Sequence, residues 1–280
     1  MDTLIHLLKG SLGSGILAMP LAFANAGLGF GLFATFAIGL VCTYCVHILV
    51  KSAHELCHRR RVPSLGYAEV AEAAFLDGPE GFKKWSRFAK AMINLFLVVD
   101  LLGCCCVYIV FVSKNVKQVV DYHSASDLDL RLYMAFLLPL LIPMNLIRNL
   151  KYLAPFSMLA NILVATGMSI TFYYIFSDLP AISSRPTIVD FYKWPMFFGT
   201  AIFALEGIGV VMPLENNMKT PTHFIGCPGV LNFGMGFVVC LYAAVGFFGF
   251  LKYGSSTEGS ITLNLPEHEM WVINTCKHIL

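Results

Sequence analysis

One carboxylate stands inside an otherwise uncharged apolar run: Glu206, between Phe203-Ala204-Leu205 and Gly207-Ile208-Gly209. A charge at such depth is kept where it pairs, carries a proton or meets a ligand. If a helix ends there, the carboxylate faces a negative helix terminus, a place for a proton, a cation or a substrate amine. A structural bond to a neighbouring helix is the other reading. Asp100 is a second acid within an apolar run, open to the same proton chemistry or to a polar contact between helices. His6 titrates near neutrality and suits proton coupling, or it is a hydrogen-bonded interior histidine. Lys9 shares its helix face, and it either pairs with free carbonyls at a helix end or takes part in coupling.

Glycines surround these groups. Gly13-Ser14-Gly15-Ile16-Leu17-Ala18-Met19-Pro20-Leu21 is echoed by Gly207-Ile208-Gly209-Val210-Val211-Met212-Pro213-Leu214. Glycine lets the backbone leave a helix without a Cβ penalty. In a membrane such unwound backbone is tolerated only where protein buries it or it lines a cavity. A half-helix starting near Ile16 would aim free N–H groups at that cavity and favour a carboxylate. The hydroxyls of Ser11 and Ser14 would add to it. Candidate substrate-binding residues are therefore Ser11, Gly13, Ser14, Gly15, Phe203, Glu206 and Gly207. Those for proton coupling are His6 and Glu206, with Lys9 and Asp100 in reserve. Close helix packing through small residues is the alternative for the glycines. Paired interruptions in corresponding places of two halves are the sequence pointer to a transporter's midplane site.

The elements that must position these groups are membrane spans. Hydrophobic residues make up 57% of the 280, charged residues only 13%, and mean hydropathy is +0.71. Soluble domains carry about 25% charged residues. Residues 10–50, 152–177 and 224–251 contain no Asp, Glu, Lys or Arg, and each is long enough for a span of about 20 residues. The pattern predicts spans over about 4–26 (broken near 10–15), 28–50, 88–112, 132–147, 153–176, 194–214 (broken near 207) and 230–251. Residues 268–280 open a further helix. The expectation is an all-α polytopic membrane protein with seven full spans, part of an eighth, and helices 1 and 6 broken. A short helix over 64–75 is expected on the cytoplasmic face. Residues 1–280 read as one transmembrane domain, with a first repeat over 1–177 and the start of a second over 194–280.

Lys51, Arg59, Arg60, Arg61, Lys83, Lys84, Arg87 and Lys90 crowd one loop, and Arg148, Lys151 and Lys219 fall on the same side. That richer side is cytoplasmic, which puts the N-terminus inside and runs spans one and six in opposite directions. A seven-helix receptor would need the reverse. Phe82, Trp85 and Phe88 among these cations form an interfacial belt. The basic residues sit in loops and imply no nucleic-acid partner. Most of the nine cysteines lie in apolar spans. Consecutive helical residues point about 100° apart, so Cys104-Cys105-Cys106 cannot face one metal ion. No metal, no cofactor and no enzyme activity are expected: Gly-x-Ser-x-Gly, His-Glu-x-x-His and Walker A patterns are absent.

The chain also resembles the proton-assisted amino acid transporters, a group within the amino acid/auxin permease branch. Thr3-Leu4-Ile5-His6-Leu7-Leu8-Lys9-Gly10 is similar to their first helix. Phe197-Phe198-Gly199-Thr200-Ala201-Ile202-Phe203, then Glu206-Gly207-Ile208-Gly209 and Pro213-Leu214-Glu215-Asn216, resembles their sixth. Ile147-Arg148-Asn149-Leu150 and Gly259-Ser260-Ile261-Thr262-Leu263-Asn264-Leu265-Pro266 match too. The resemblance implies a LeuT-type five-plus-five inverted repeat of about eleven helices. It implies symport of H+ with small neutral amino acids of the glycine, alanine and proline type. It raises His6 as a proton-coupling residue. It places the protein in the lipid bilayer of the plasma membrane or of lysosomes and endosomes, with growth-signalling partners at the lysosome. A non-transporting amino acid sensor on the same scaffold is the alternative. The outer loops lack the cysteines and the sequon usual in the family. The chain is expected to be a C-terminally truncated fragment.

Overall fold

The computed structural model describes residues 13, 15–124, 128–146, 166–216, 218, 224–226 and 229–265, and all regular structure among them is helical. Helix α1 spans Gly15–Ala26, α2 Leu28–Arg60, α3 Tyr67–Leu76, α4 Glu80–Lys83, α5 Ser86–Ser124 and α6 Leu130–Asn145. After a helical stretch over 166–176 come α7 Trp194–Leu205, α8 Ile208–Asn216 and α9 Val230–Tyr253. Among the described residues, α2, α5 and α9 are long and apolar enough to cross a membrane.

Two helices outrun the apolar runs that predict them. α2 continues past Val50 to Arg60 because no glycine or proline stops it, and an i,i+4 pair (Arg59 Nε to Glu55 Oε1, 2.7 Å) supports its last turns. It ends where Arg61 turns left-handed at φ 54° and donates its N–H to Cys57 O. α5 continues past Val112 because Ser113 and Asn115 bond back to Ile109 O and Phe111 O at 2.7 and 2.8 Å. The expected surface helix is α3. It begins only after Pro63-Ser64-Leu65-Gly66, where the Glu69 carboxylate accepts the Gly66 N–H at 2.9 Å.

Loop backbone finishes the helix ends. Gly27, at φ 91°, turns the chain between α1 and α2. The first N–H groups of α2 have no intrahelical partner. Leu28 donates to Pro186 O, while Gly29 and Phe30 donate to Thr187 O, at 3.0–3.2 Å. Arg185 donates to Leu251 O and Lys252 O (3.1 and 3.2 Å) at the far end of α9, a cation on a helix C-terminus.

One buried cluster joins Met19, Ala22 and Phe23 of α1, Ile38 of α2, Phe197 and Ala201 of α7, and Val238 and Tyr242 of α9. A second joins Val50 and Ala53 of α2, Val70 and Ala73 of α3, Val211 and Met212 of α8, and Leu231 of α9. Histidines one heptad apart tie α2 to its neighbours. His47 Nε2 bonds Asn232 Oδ1 of α9 at 2.9 Å, and His54 Nε2 meets the buried Glu215 Oε1 of α8 at 2.6 Å. Thus α1, α2, α3, α7, α8 and α9 form one body. α5 stands beside it, packed on α3 and α6, and its Leu95, Phe96, Val99 and Leu102 are exposed.

Arg60 makes a forked contact with Asp77 (2.9 and 3.3 Å) and holds that carboxyl below the usual range. Its stabilisation is present above the unfolded-state pKa, about 3.9, and is lost only as pH falls through the lower folded value. A mildly acidic compartment therefore leaves this tie intact.

α9 approaches α1 through glycine: a Cβ at Gly249 would stand 2.5 Å from Pro20 Cγ, whereas one at Gly236 meets nothing within 4 Å. Gly249→Ala should therefore cost about 1–3 kcal/mol by overpacking a rigid ring. Gly236→Ala on the same helix should be neutral or stabilising by up to about 1 kcal/mol. Thermal melting in detergent reads the difference.

Candidate functional site

The second interruption is where the sequence places it. α7 stops at Leu205, Glu206 takes extended backbone angles (φ −71°, ψ 139°), and α8 resumes at Ile208. A carboxylate-bearing residue and a glycine therefore fill a two-residue gap between half-helices, leaving carbonyls on one side and N–H groups on the other. The first interruption is described from Gly13 onward, with α1 starting at Gly15. His6, Lys9, Ser11 and Ser14 lie outside the described residues.

The two interruptions touch. A Cβ at Gly15 would stand 2.7 Å from Ala204 Cα and 2.9 Å from Ala204 Cβ. The start of α1 thus lies directly on the end of α7, at a distance that only glycine allows. Gly13 is embraced by two tyrosines. Its Cβ position would lie 3.2 Å from the Tyr108 hydroxyl of α5, and its backbone shares a hydrogen bond with the Tyr242 hydroxyl of α9. Sequence reasoning missed both tyrosines. The available signal was a polar-tipped ring in mid-span, where a hydroxyl must find a partner.

Glu206 is half-buried, and Asp100 of α5 is the acid that acts on it, the two carboxyls interacting side chain to side chain. Cys42, Cys104 and Tyr67 lie within its electrostatic range. The structure therefore brings together Glu206, Gly207 and Asp100 as one group, and Gly13 and Gly15 as another, one helical turn away through Ala204.

Phe203 links the second interruption to a cavity of about 300 Å³ that Gly15 and Ala18 of α1 also line. α5 contributes Cys106, Val110, Phe111, Lys114 and Asn115 to its lining, and the loop after α9 contributes Ser260. That volume is at the small end of the range for ligand sites, about 300–1,000 Å³. Beyond the break lies a second cavity, of about 440 Å³, bounded by Tyr67, Glu69, Lys90 and Asn94 on one side and Gly209 and Pro213 on the other. The interruptions therefore separate two cavities. Among the described residues no cluster of His, Cys, Asp and Glu has metal-binding geometry.

The family model for transmembrane amino acid transporter proteins matches residues 1–280. The chain belongs to that family. It is 46% identical over 279 residues to a proton-coupled amino acid transporter-like protein, pathetic, of Drosophila melanogaster, covering 100% of this chain and 59% of that one. It is 30% identical over 274 residues to vacuolar amino acid transporter 4 of Saccharomyces cerevisiae, covering 95% of this chain and 36% of that one. The chain thus spans well under two thirds of the length of these curated relatives. No solved structure matches it. Both relatives are named as transporters rather than enzymes, and a family of multi-pass membrane proteins accounts for the apolar helices of this member.

The Gly15–Ala204 contact makes a direct prediction for this family member. Gly15→Ala should cost about 1–3 kcal/mol, and Ala204→Gly should recover part of it. The interaction energy in a double-mutant cycle should be about 0.5–3 kcal/mol. Additive melting shifts would show that the two interruptions do not bear on each other.

Proposed function

We propose that the protein is a proton-coupled symporter of small neutral amino acids, working by alternating access around the paired interruptions. The observation that carries this reading is the cavity between α1, α5 and α7, whose lining includes residues from both broken helices, Gly15 and Ala18 of the first and Phe203 of the second. Membership of an amino acid transporter family narrows the ligand class, and the small volume favours glycine, alanine and proline over larger amino acids. The name of the Drosophila relative favours proton coupling; that of the yeast relative favours an internal, lysosome-like membrane.

In this reading the substrate carboxylate meets backbone N–H groups around Ser11, Gly13, Ser14 and Gly15, and the amine lies near Phe203, Glu206 and Gly207. The N-terminus is cytoplasmic, the fold is a LeuT-type inverted repeat, and residues 1–177 form its first half. The body of α1, α2, α3, α7, α8 and α9 rocks against α5 and α6. Asp100 belongs to one side of that boundary and Glu206 to the other. Two ionised carboxylates there repel, and a proton held by one converts the repulsion into a hydrogen bond. Glu206 thus couples the proton to the position of the two bodies, with His6 as the other carrier.

Uptake of alanine or proline by the full-length protein in proteoliposomes should be several-fold faster from an outer pH of about 5.5 than from about 7.5, with acidification of the lumen. Equal uptake at both pH values without acidification would refute coupling, and binding without uptake would leave a sensor. Glu206→Gln should flatten the pH dependence. If the dependence persists in that variant, the proton belongs to His6.

A further inference from the structure

We propose that Lys114 sets the charge selectivity of the cavity between α1, α5 and α7, drawing in the carboxylate end of an amino acid and turning cationic amino acids away. Its role toward substrate rests on the reading of this cavity as the amino acid's way in.

Three observations carry it. Among the described residues Lys114 is the one charged residue lining that cavity. Among them it takes part in no ion pair, whereas Lys90 at the other cavity is neutralised by Glu72 at 2.6 Å. Among the described residues the field is therefore asymmetric: one cavity presents an ammonium outside any ion pair, and the other presents a paired one beside Glu69. The position of Lys114 is also held. Its Nζ lies 3.9 Å from where a Gly259 Cβ would stand, so the ammonium reaches from α5 to the loop that lines the same cavity. That loop is fastened to α5 by Thr262 Oγ1 donating to Asn115 Oδ1 (3.2 Å) and by Gln118 Nε2 donating to Leu263 O (3.2 Å).

The physical consequence is focusing. A narrow cleft with low-dielectric walls and one sign of charge raises the local concentration of the opposite sign by about 10–1,000-fold, less at high salt. A zwitterion presents its carboxylate to Lys114 without net cost. An amino acid with a cationic side chain brings a second positive charge past the same ammonium and is disfavoured.

Cys106 in the cavity wall is a built-in reporter. Full-length protein in nanodiscs is treated with an anionic (sulfonatoethyl) or a cationic (trimethylammonioethyl) methanethiosulfonate, and modification of Cys106 is timed by peptide mass spectrometry. The rate ratio cancels any change in the reactivity of the thiol itself. The anionic reagent should win by about tenfold at low salt, Lys114→Arg should keep that preference, and Lys114→Glu should reverse it. In uptake assays Lys114→Glu should raise the arginine-to-alanine ratio by about tenfold. An equal ratio of the two reagents in the unaltered protein and in Lys114→Glu overturns the proposal. So does a shift in reagent ratio accompanied by alanine uptake with unchanged discrimination against arginine. A shifted reagent ratio in a protein that takes up no amino acid keeps the charge filter and removes the transport reading instead.

Discussion

A helix interrupted inside an apolar slab leaves amides and carbonyls that water cannot reach, and every other feature of this chain answers to that constraint. At 206–207 the chain stops one helix and starts another with only two residues between. The start of α1 is set directly upon the end of α7, with Gly15 against Ala204. Neither interruption is exposed to lipid on that side, because each is covered by the other. The same accounting appears at the corner of α1 and α2, where the carbonyls of Pro186 and Thr187 take the unpaired N–H groups, and at the end of α9, where Arg185 takes the carbonyls. Helix ends that meet each other form a cavity; helix ends met by a loop form a closed corner.

The division into two bodies follows from where apolar surface is spent. α1, α2, α3, α7, α8 and α9 share buried clusters, and α2 is cross-tied by His47–Asn232 and His54–Glu215. α5 offers the first cluster only the partly buried Phe111. Around the interruptions it adds polar groups: the Tyr108 hydroxyl near Gly13, Asp100 near Glu206, and Asn115 with Thr262. Directional contacts of this kind have discrete alternatives, whereas an interdigitated core does not slide without cost. The boundary between the bodies is therefore the place where a change of state costs least.

Much of this was legible in the sequence, for particular reasons. Apolar runs revealed α2, α5 and α9 because a charge in hydrocarbon is costly, and Glu206-Gly207 revealed a break because carboxylate and glycine are both out of place in mid-span. Span ends were less legible. Charges and polar groups that leave a membrane do not stop a helix, so α2 runs to Arg60 and α5 to Ser124. The capping of α2 by residues 186–187 was invisible, since a backbone carbonyl carries no signature in its side chain. Tyr108 and Tyr242 carry no local sign that Gly13 lies between them. Lys114 reads locally only as a charge just past an apolar run. Its place on the cavity lining depends on how α5 meets the loop at 259–263, a tertiary fact that no local pattern encodes.

The choice of two acids at the boundary has a physical logic. A Lys–Glu pair there would attract at every pH near neutrality and would hold the bodies together regardless of load. Buried ion pairs are also costly to desolvate. Two carboxyls behave oppositely: they part when both are ionised and join when a positive group stands between them. A proton is one such group, and the ammonium end of an amino acid is another. In the proposed mechanism the two acids at the break take the proton or the amine, while Lys114 lines the neighbouring cavity between α1, α5 and α7 and answers to the carboxylate. The glycine interruptions supply the space and the free backbone groups on which both depend.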